Sequence, residues 1–290
     1  MMNNYRSMLV HVSDSERSRQ VLSFAALVAA AQGANLRAVH AVEPLYLGIG
    51  LSPESAMTTA QFGQEIEQAR TARARSRVLD ASRVSGMRIE FDSPAGDPVQ
   101  QMSARLRLAD LAVVGQPADD DTEGPSRRFA SKLLVAAGGP VLFVPGSGPV
   151  DRCGTRVLVA WSATRESARA LRDALPMLQR AAAVELLRFG ATAAEAGEPL
   201  DGVVAYLQAH GVSATGTVKP VREVSFGERM LTPSVVDASI AELLLSHAAD
   251  LDADLIVMGG YGHTRTHELV LGGVTRTMLG SMTVPVFMSH

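Results

Sequence analysis

The chain has 290 residues, 47% hydrophobic and 20% charged, which is ample for packed cores and excludes an intrinsically disordered chain. Basic and acidic residues nearly cancel, 27 against 30 for a net charge of −3, so the positive excess that binding to a nucleic-acid backbone needs is missing, and no nucleic-acid partner is expected. The single cysteine, Cys153, rules out an intrachain disulfide and a thiolate metal cluster.

The chain opens with Met1-Met2-Asn3-Asn4-Tyr5-Arg6 and runs directly into the strand-like Met8-Leu9-Val10-His11-Val12. No apolar leader precedes it, and the longest apolar stretch, residues 22–31, is about half a membrane span. A soluble, cytoplasmic protein without membrane insertion is expected. Ser13-Asp14-Ser15-Glu16 reads as a capping box. The helix after it, through Ala31, puts Val21, Leu22, Ala25, Val28 and Ala29 on one stripe, and Gly33 stops it. A strand over 36–42, a Pro/Gly loop and a long polar helix to about Ser85 follow. Arg70, Arg73, Arg75 and Arg77 on that helix, with Glu65 and Glu67 before them and no aromatic residues between, read as a solvated face. Asp97-Pro98 gives an N-cap with proline at the first helical position. Strands over Leu111–Gly115 and Val141–Val144 close this half.

The pattern then repeats. Met8-Leu9-Val10-His11-Val12-Ser13 matches Val157-Leu158-Val159-Ala160-Trp161-Ser162 at an offset of about 149. Ala109-Asp110-Leu111 matches Ala253-Asp254-Leu255 at about 144, and Pro140-Val141-Leu142-Phe143 matches Pro285-Val286-Phe287-Met288 at about 145. The chain is a tandem repeat of one domain, residues 1–149 and 150–290, joined through Gly146-Ser147-Gly148-Pro149. Near-continuous apolar strands alternating with amphipathic helices specify α/β architecture: two tandem doubly wound parallel-sheet domains. Ligands of such sheets sit beyond the carboxyl ends of the strands, here after Val12, Gly115, Trp161 and Gly259. Edge strands near the end of each half, Val141–Val144 and 284–288, are expected to pair, giving an intrachain pseudo-dimer or a homodimer.

Gly259-Gly260-Tyr261-Gly262-His263 follows the apolar Leu255-Ile256-Val257-Met258, and Gly272-Gly273-Val274-Thr275 lies ten residues past Gly262. Glycines there permit positive φ and close backbone approach to a ligand, and a helix starting at the second cluster adds free amides and a positive dipole end. The segment from Met258 to His290 resembles the C-terminal signature of the universal stress protein family, G-x2-G-x9-G-[S/T], with Gly259, Gly262 and Gly272 at the matching spacing. The tandem halves are similar to a two-domain member covering essentially the whole chain. The resemblance implies a five-stranded sheet like that of adenine-nucleotide alpha-hydrolases. It also implies a site for ATP or a related adenine nucleotide in the second half, on Ala160, Ser162, Gly259, Gly260, Gly262, His263, Gly272, Gly273, Val274 and Thr275.

The pattern departs from the family at Gly273, where a Ser/Thr is usual, and at Ser13 and Ser162, where nucleotide-binding members usually carry Asp; Asp14 stands one residue late. In the first half Gly115-Gln116-Pro117-Ala118 runs into Asp119-Asp120-Asp121, a poor setting for a triphosphate, so that site is expected to be degenerate. His263 and His267 have H-x3-H spacing, but no third Cys or His stands near, so no metal site is expected. Trp161 is expected in the core and Cys153 as an inert thiol. There is no G-x-S-x-G elbow and no Walker lysine, Lys132 and Lys219 being the only lysines. A binding and signalling role in stress response is expected rather than an enzyme. Slow ATP hydrolysis and a non-nucleotide interaction protein with both sites decayed are the alternatives.

Overall fold

A computed structural model describes residues 4–42, 53–118, 124–148, 150–190, 200–220, 233–261 and 273–290. The first half runs β1 (Ser7–His11), α1 (Arg17–Gln32), β2 (Asn35–Val39), α2 (Pro53–Ser85), β3 (Ile89–Asp92), α3 (Pro98–Leu106), β4 (Leu111–Gly115), α4 (Arg127–Ala136) and β5 (Val141–Val144). The second runs β6 (Arg156–Ala160), α5 (Arg165–Asp173), α6 (Leu175–Leu178), β7 (Ala183–Gly190), α7 (Asp201–Ala209), β8 (Ala214–Pro220), α8 (Pro233–Asp250), β9 (Leu255–Gly259), α9 (Gly273–Ser281) and β10 (Val286–Ser289).

Local chemistry sets several of these bounds. Gly33 ends α1 in the left-handed region at φ 67°, a conformation that costs glycine little. Asp97 caps α3, its Oδ1 accepting from Gln100 N at 2.8 Å, with Pro98 behind it. The repeated Ala-Asp-Leu has a purpose that the sequence does not display. Asp110 accepts from the backbone N–H groups of Arg6 and Ser7, and Asp254 from those of Gly154, Thr155 and Arg156 at 2.9–3.0 Å. Each carboxylate thereby ties the entry of the first strand of its half to the strand beside it. Cys153, half-buried next to Asp254, has its thiol pushed up by burial and by that carboxylate, so it stays protonated and unreactive.

Within each half the strands are parallel, in the orders β3-β2-β1-β4-β5 and β8-β7-β6-β9-β10. Alternate residues of each strand enter two cores. Met8, Val10, Val113, Val157 and Val257 pack under α1, α2, α5 and α7 on one face. Leu9, Val114, Leu158 and Ile256 pack under α3, α4, α8 and α9 on the other. Burial on both faces is why these strands read as unbroken apolar runs.

The two halves share one ten-stranded sheet, closed by an antiparallel pairing of β5 with β10. Val141 faces Met288, Leu142 faces Phe287 and Phe143 faces Val286. Because residues 141 and 286 occupy equivalent places in the repeat, this register is self-complementary, and an approximate two-fold axis passes through the Leu142–Phe287 pair. Both side chains are wholly buried. Replacing Phe287 by Ala should cost about 3–5 kcal/mol and lower the urea midpoints of both halves together. A loss confined to the second half would show that the seam does not join them.

Candidate functional site

The strand order reverses between β1 and β4 in the first half and between β6 and β9 in the second, and the carboxyl ends there are the places where such sheets bind ligands. In the second half β6 delivers Ala160 and Trp161, half-buried, to a loop in which Ser162 and Ala163 are exposed. Trp161 packs against the core, as expected of it. Thr164 caps α5, its Oγ1 accepting from Ser167 N at 3.2 Å, and Ser162 N donates to Ser167 Oγ. Glu166 is buried. Burial pushes its carboxyl up, but the hydrogen bond from Arg165 Nε at 2.5 Å and the arginine's charge outweigh this and hold it below the usual carboxylate range. On α9, Gly273 and Val274 are half-buried, and the buried Thr275 accepts from Tyr261 N at 3.5 Å. Gly262, His263, Gly272 and the H-x3-H partner His267 lie outside the described residues, as does the acidic run 119–121.

Gly259 and Gly260 correct the expectation placed on them. Neither takes positive φ; the left-handed residue of this turn is Tyr261, at φ 63°. Gly259 is glycine because the first turn of α5 lies on it: an added Cβ would stand 2.6 Å from Ser167 N and 2.8 Å from Glu166 C, both backbone atoms that cannot yield. Gly260 is glycine because Leu134 of α4 presses on it from the other half, at 2.6 Å from such a Cβ. Gly259 is thus fixed by backbone packing before any ligand is considered, whereas Gly260 meets the end of a side chain.

The matching place in the first half is closed. His11, Val12, Ser13, Asp14 and Ser15 are all buried, and the cavity beside His11, Ser13, Ser15 and Gln116 holds about 20 Å³, room for one water. Burial drives the His11 imidazole down to about 4, so it is neutral, and its Nε2 lies 2.9 Å from Ala41 O. Asp14 has no exposed side-chain surface and is gripped by Arg70 Nε at 3.1 Å and an Arg73 amino group at 2.6 Å, while Arg77 donates to its carbonyl. Burial pushes the Asp14 carboxyl up, but the two arginines outweigh it and hold it below the usual range.

Two expectations are altered here for one reason. The arginines of α2 do not form a purely solvated face: Arg73 and Arg75 stay exposed, but Arg70 and Arg73 reach Asp14, Arg77 reaches Asp14 and Glu16, and Arg75 covers the Phe91 ring at 4.7 Å. The capping box does not form either. Glu16 turns to Arg77 at 2.8 Å and Arg19 at 3.4 Å, and Ser13 N donates to Ser18 Oγ instead. Nothing in the spacing of Asp14 and Arg70 signals this pairing; only the fold brings them together.

A model of the universal stress protein family matches residues 4–145 and again 155–290. The chain belongs to the universal stress protein family. A universal stress protein from Archaeoglobus fulgidus has a similar structure, at 17% identity and a TM-score of 0.67, covering 98% of this chain and 95% of that one. A protein from Pseudomonas aeruginosa described as functionally unknown aligns at 15% identity and a TM-score of 0.54, over 98% of this chain and 92% of its own. No match was found among curated proteins. Among the described residues, no helix of this universal stress protein is long and apolar enough to cross a membrane.

The Asp14 clamp gives a pH signature. A carboxyl whose pKa is lower in the folded state stabilises the fold above its unfolded value, here 3.8, and loses that contribution as pH falls through the folded value. Asp14→Asn should cost about 3 kcal/mol at neutral pH. The difference from wild type should hold down to about pH 4 and shrink below it. Denaturation curves in which the gap already narrows above about pH 5 would contradict the clamp.

Proposed function

We propose that this universal stress protein binds one adenine nucleotide, ATP or a close relative, in its second domain and serves as a binding and signalling protein. The domains are 1–149 and 150–290. The observation that carries the reading is the contrast between two equivalent strand ends: Ser162 and Ala163 are exposed where Ser13 and Asp14 are sealed by arginines. Beside the open end stands the capped N-terminus of α5, and α9 begins at Gly273 directly after the sequence that bears the family's glycine spacing.

Ala160 and Ser162 would border the nucleoside. Gly259 and Gly260 would lead into the binding loop, whereas Gly262, His263 and Gly272, assigned from sequence, together with Gly273, Val274 and Thr275, would meet the phosphates. Free amides at the start of a helix favour such a negative group. The chain fits the group less fully than its nucleotide-binding relatives, because Gly273 offers no hydroxyl and Ser162 no carboxylate. Modest affinity follows from that donor set, and the role proposed is binding, with slow ATP hydrolysis as the alternative. The proposed setting is the cytoplasm, with the two domains already paired within one chain.

Titration calorimetry of the full chain with ATP should give one site per chain. Gly262→Val should abolish it, and Gly273→Ser should strengthen it by roughly ten- to hundredfold, the worth of one hydrogen bond to a charged group. Two equivalent sites, or wild-type binding by Gly262→Val, would overturn the reading.

A further inference from the structure

The turn that leaves β9 toward the proposed ligand loop packs against the other half of the molecule. Gly260 lies under Leu134 of α4, close enough that a single added carbon would stand 2.6 Å from Leu134 Cδ2. Gly260 N donates to Ser289 O at 2.8 Å, and His290 Nδ1 lies 3.1 Å from Gly260 O. Tyr261 follows in the left-handed region, its ring edge-on to His290 at 5.9 Å. Its hydroxyl is buried against Ser131 of α4. A non-glycine residue at positive φ persists only where its surroundings hold it there, and Leu134 and Ser131 of α4 are among those surroundings.

The repeat supplies an internal control. Gln116 follows Gly115 as Gly260 follows Gly259, and Leu279 is the counterpart of Leu134. Across that side of the axis Gln116 Nε2 donates to Leu279 O at 2.9 Å while its Oε1 accepts from Gly146 N at 2.7 Å. The sealed half is thus pinned to its neighbour by a hydrogen-bonded side chain. On the open side the equivalent place is taken by the apolar contact of Leu134 with Gly260 and by the Tyr261 side chain beside Ser131.

We propose that the contact of Leu134 and Ser131 with Gly260 and Tyr261 couples this turn of the second half to α4 of the first, making α4 the element that reports occupancy. This rests on the nucleotide reading given above. Any ligand that prefers one arrangement of the turn must also favour one arrangement of α4, and the coupling acts equally in both directions. The exposed side of α4 carries Arg128 and Val135, so a change there is visible to a partner although no ligand touches it.

The test uses the full-length chain, with ATP as the probe. Gly260→Ala should weaken ATP binding by about tenfold, and adding Leu134→Ala should restore it to within about threefold of wild type. A carbon clashing with the ligand itself would not be relieved by shortening Leu134, so rescue singles out the contact between halves. In the wild type, ATP should slow amide exchange across residues 127–136. Tyr261→Gly keeps the backbone conformation and removes the grip, so it should bind ATP yet lose that protection, and it serves if Gly260→Ala does not fold. Binding unaffected by Gly260→Ala, failure of rescue, or α4 exchange indifferent to ATP would overturn the coupling while leaving the nucleotide reading intact. A wild type that binds no ATP would overturn both.

Discussion

Pairing of β5 with β10 is the constraint on which the rest of the molecule depends. A parallel half-sheet ending in an apolar strand has an unsatisfied row of backbone donors and acceptors that water or another strand must cover. Here each half covers the other, and the buried Leu142–Phe287 pair on the axis fixes the register. A shift by one residue would turn Phe143 and Met288 out of one core and into the other. From that register follow the contact of α4 with the turn after β9, the contact of Gln116 with Leu279, and the bonds from Arg169 of α5 to the carbonyls of His290 and Gly138.

Duplication of one fold within one chain lets each half act as the reference for the other. Strand order, the carboxylate at the strand entry and the serine bridge from strand end to helix recur in both, as in Ser13 N to Ser18 Oγ and Ser162 N to Ser167 Oγ. What differs is how the end of the first strand is used. The first half fills it with its own ion pairs and buries it. In the second it is left open, beside a helix capped by Thr164. The strands and their order are the same, so the contrast comes from what lies over the strand end: Asp14 and the arginines of the long α2 on one side, small neutral residues and the shorter α7 on the other.

Much of this was legible in the sequence. The repeated apolar runs, the stop at Gly33 and the Asp97-Pro98 cap depend on local geometry, and each is found where periodicity and capping place it. The reasons behind Gly259 and Gly260 were not legible, because they depend on which atoms of Ser167 and Leu134 arrive from distant parts of the chain. A sequence offers glycine as freedom of φ, whereas here it marks lack of room. The capping box failed likewise: Glu16 had the right spacing to reach back to Ser13, but Arg77, 61 positions on, competes for its carboxylate once the fold exists. Local rules hold until a charged partner arrives from elsewhere.

The covalent tether between the halves has a consequence for how such a protein behaves across concentrations. Two separate domains pairing through an edge strand would come apart on dilution, and their apparent stability would follow how much of each the cell made. Joined in one polypeptide, the strands meet at an effective concentration set by the linker rather than by expression. A contact made across this seam, such as that of Leu134 with Gly260, then forms in the same way for a handful of molecules as for thousands.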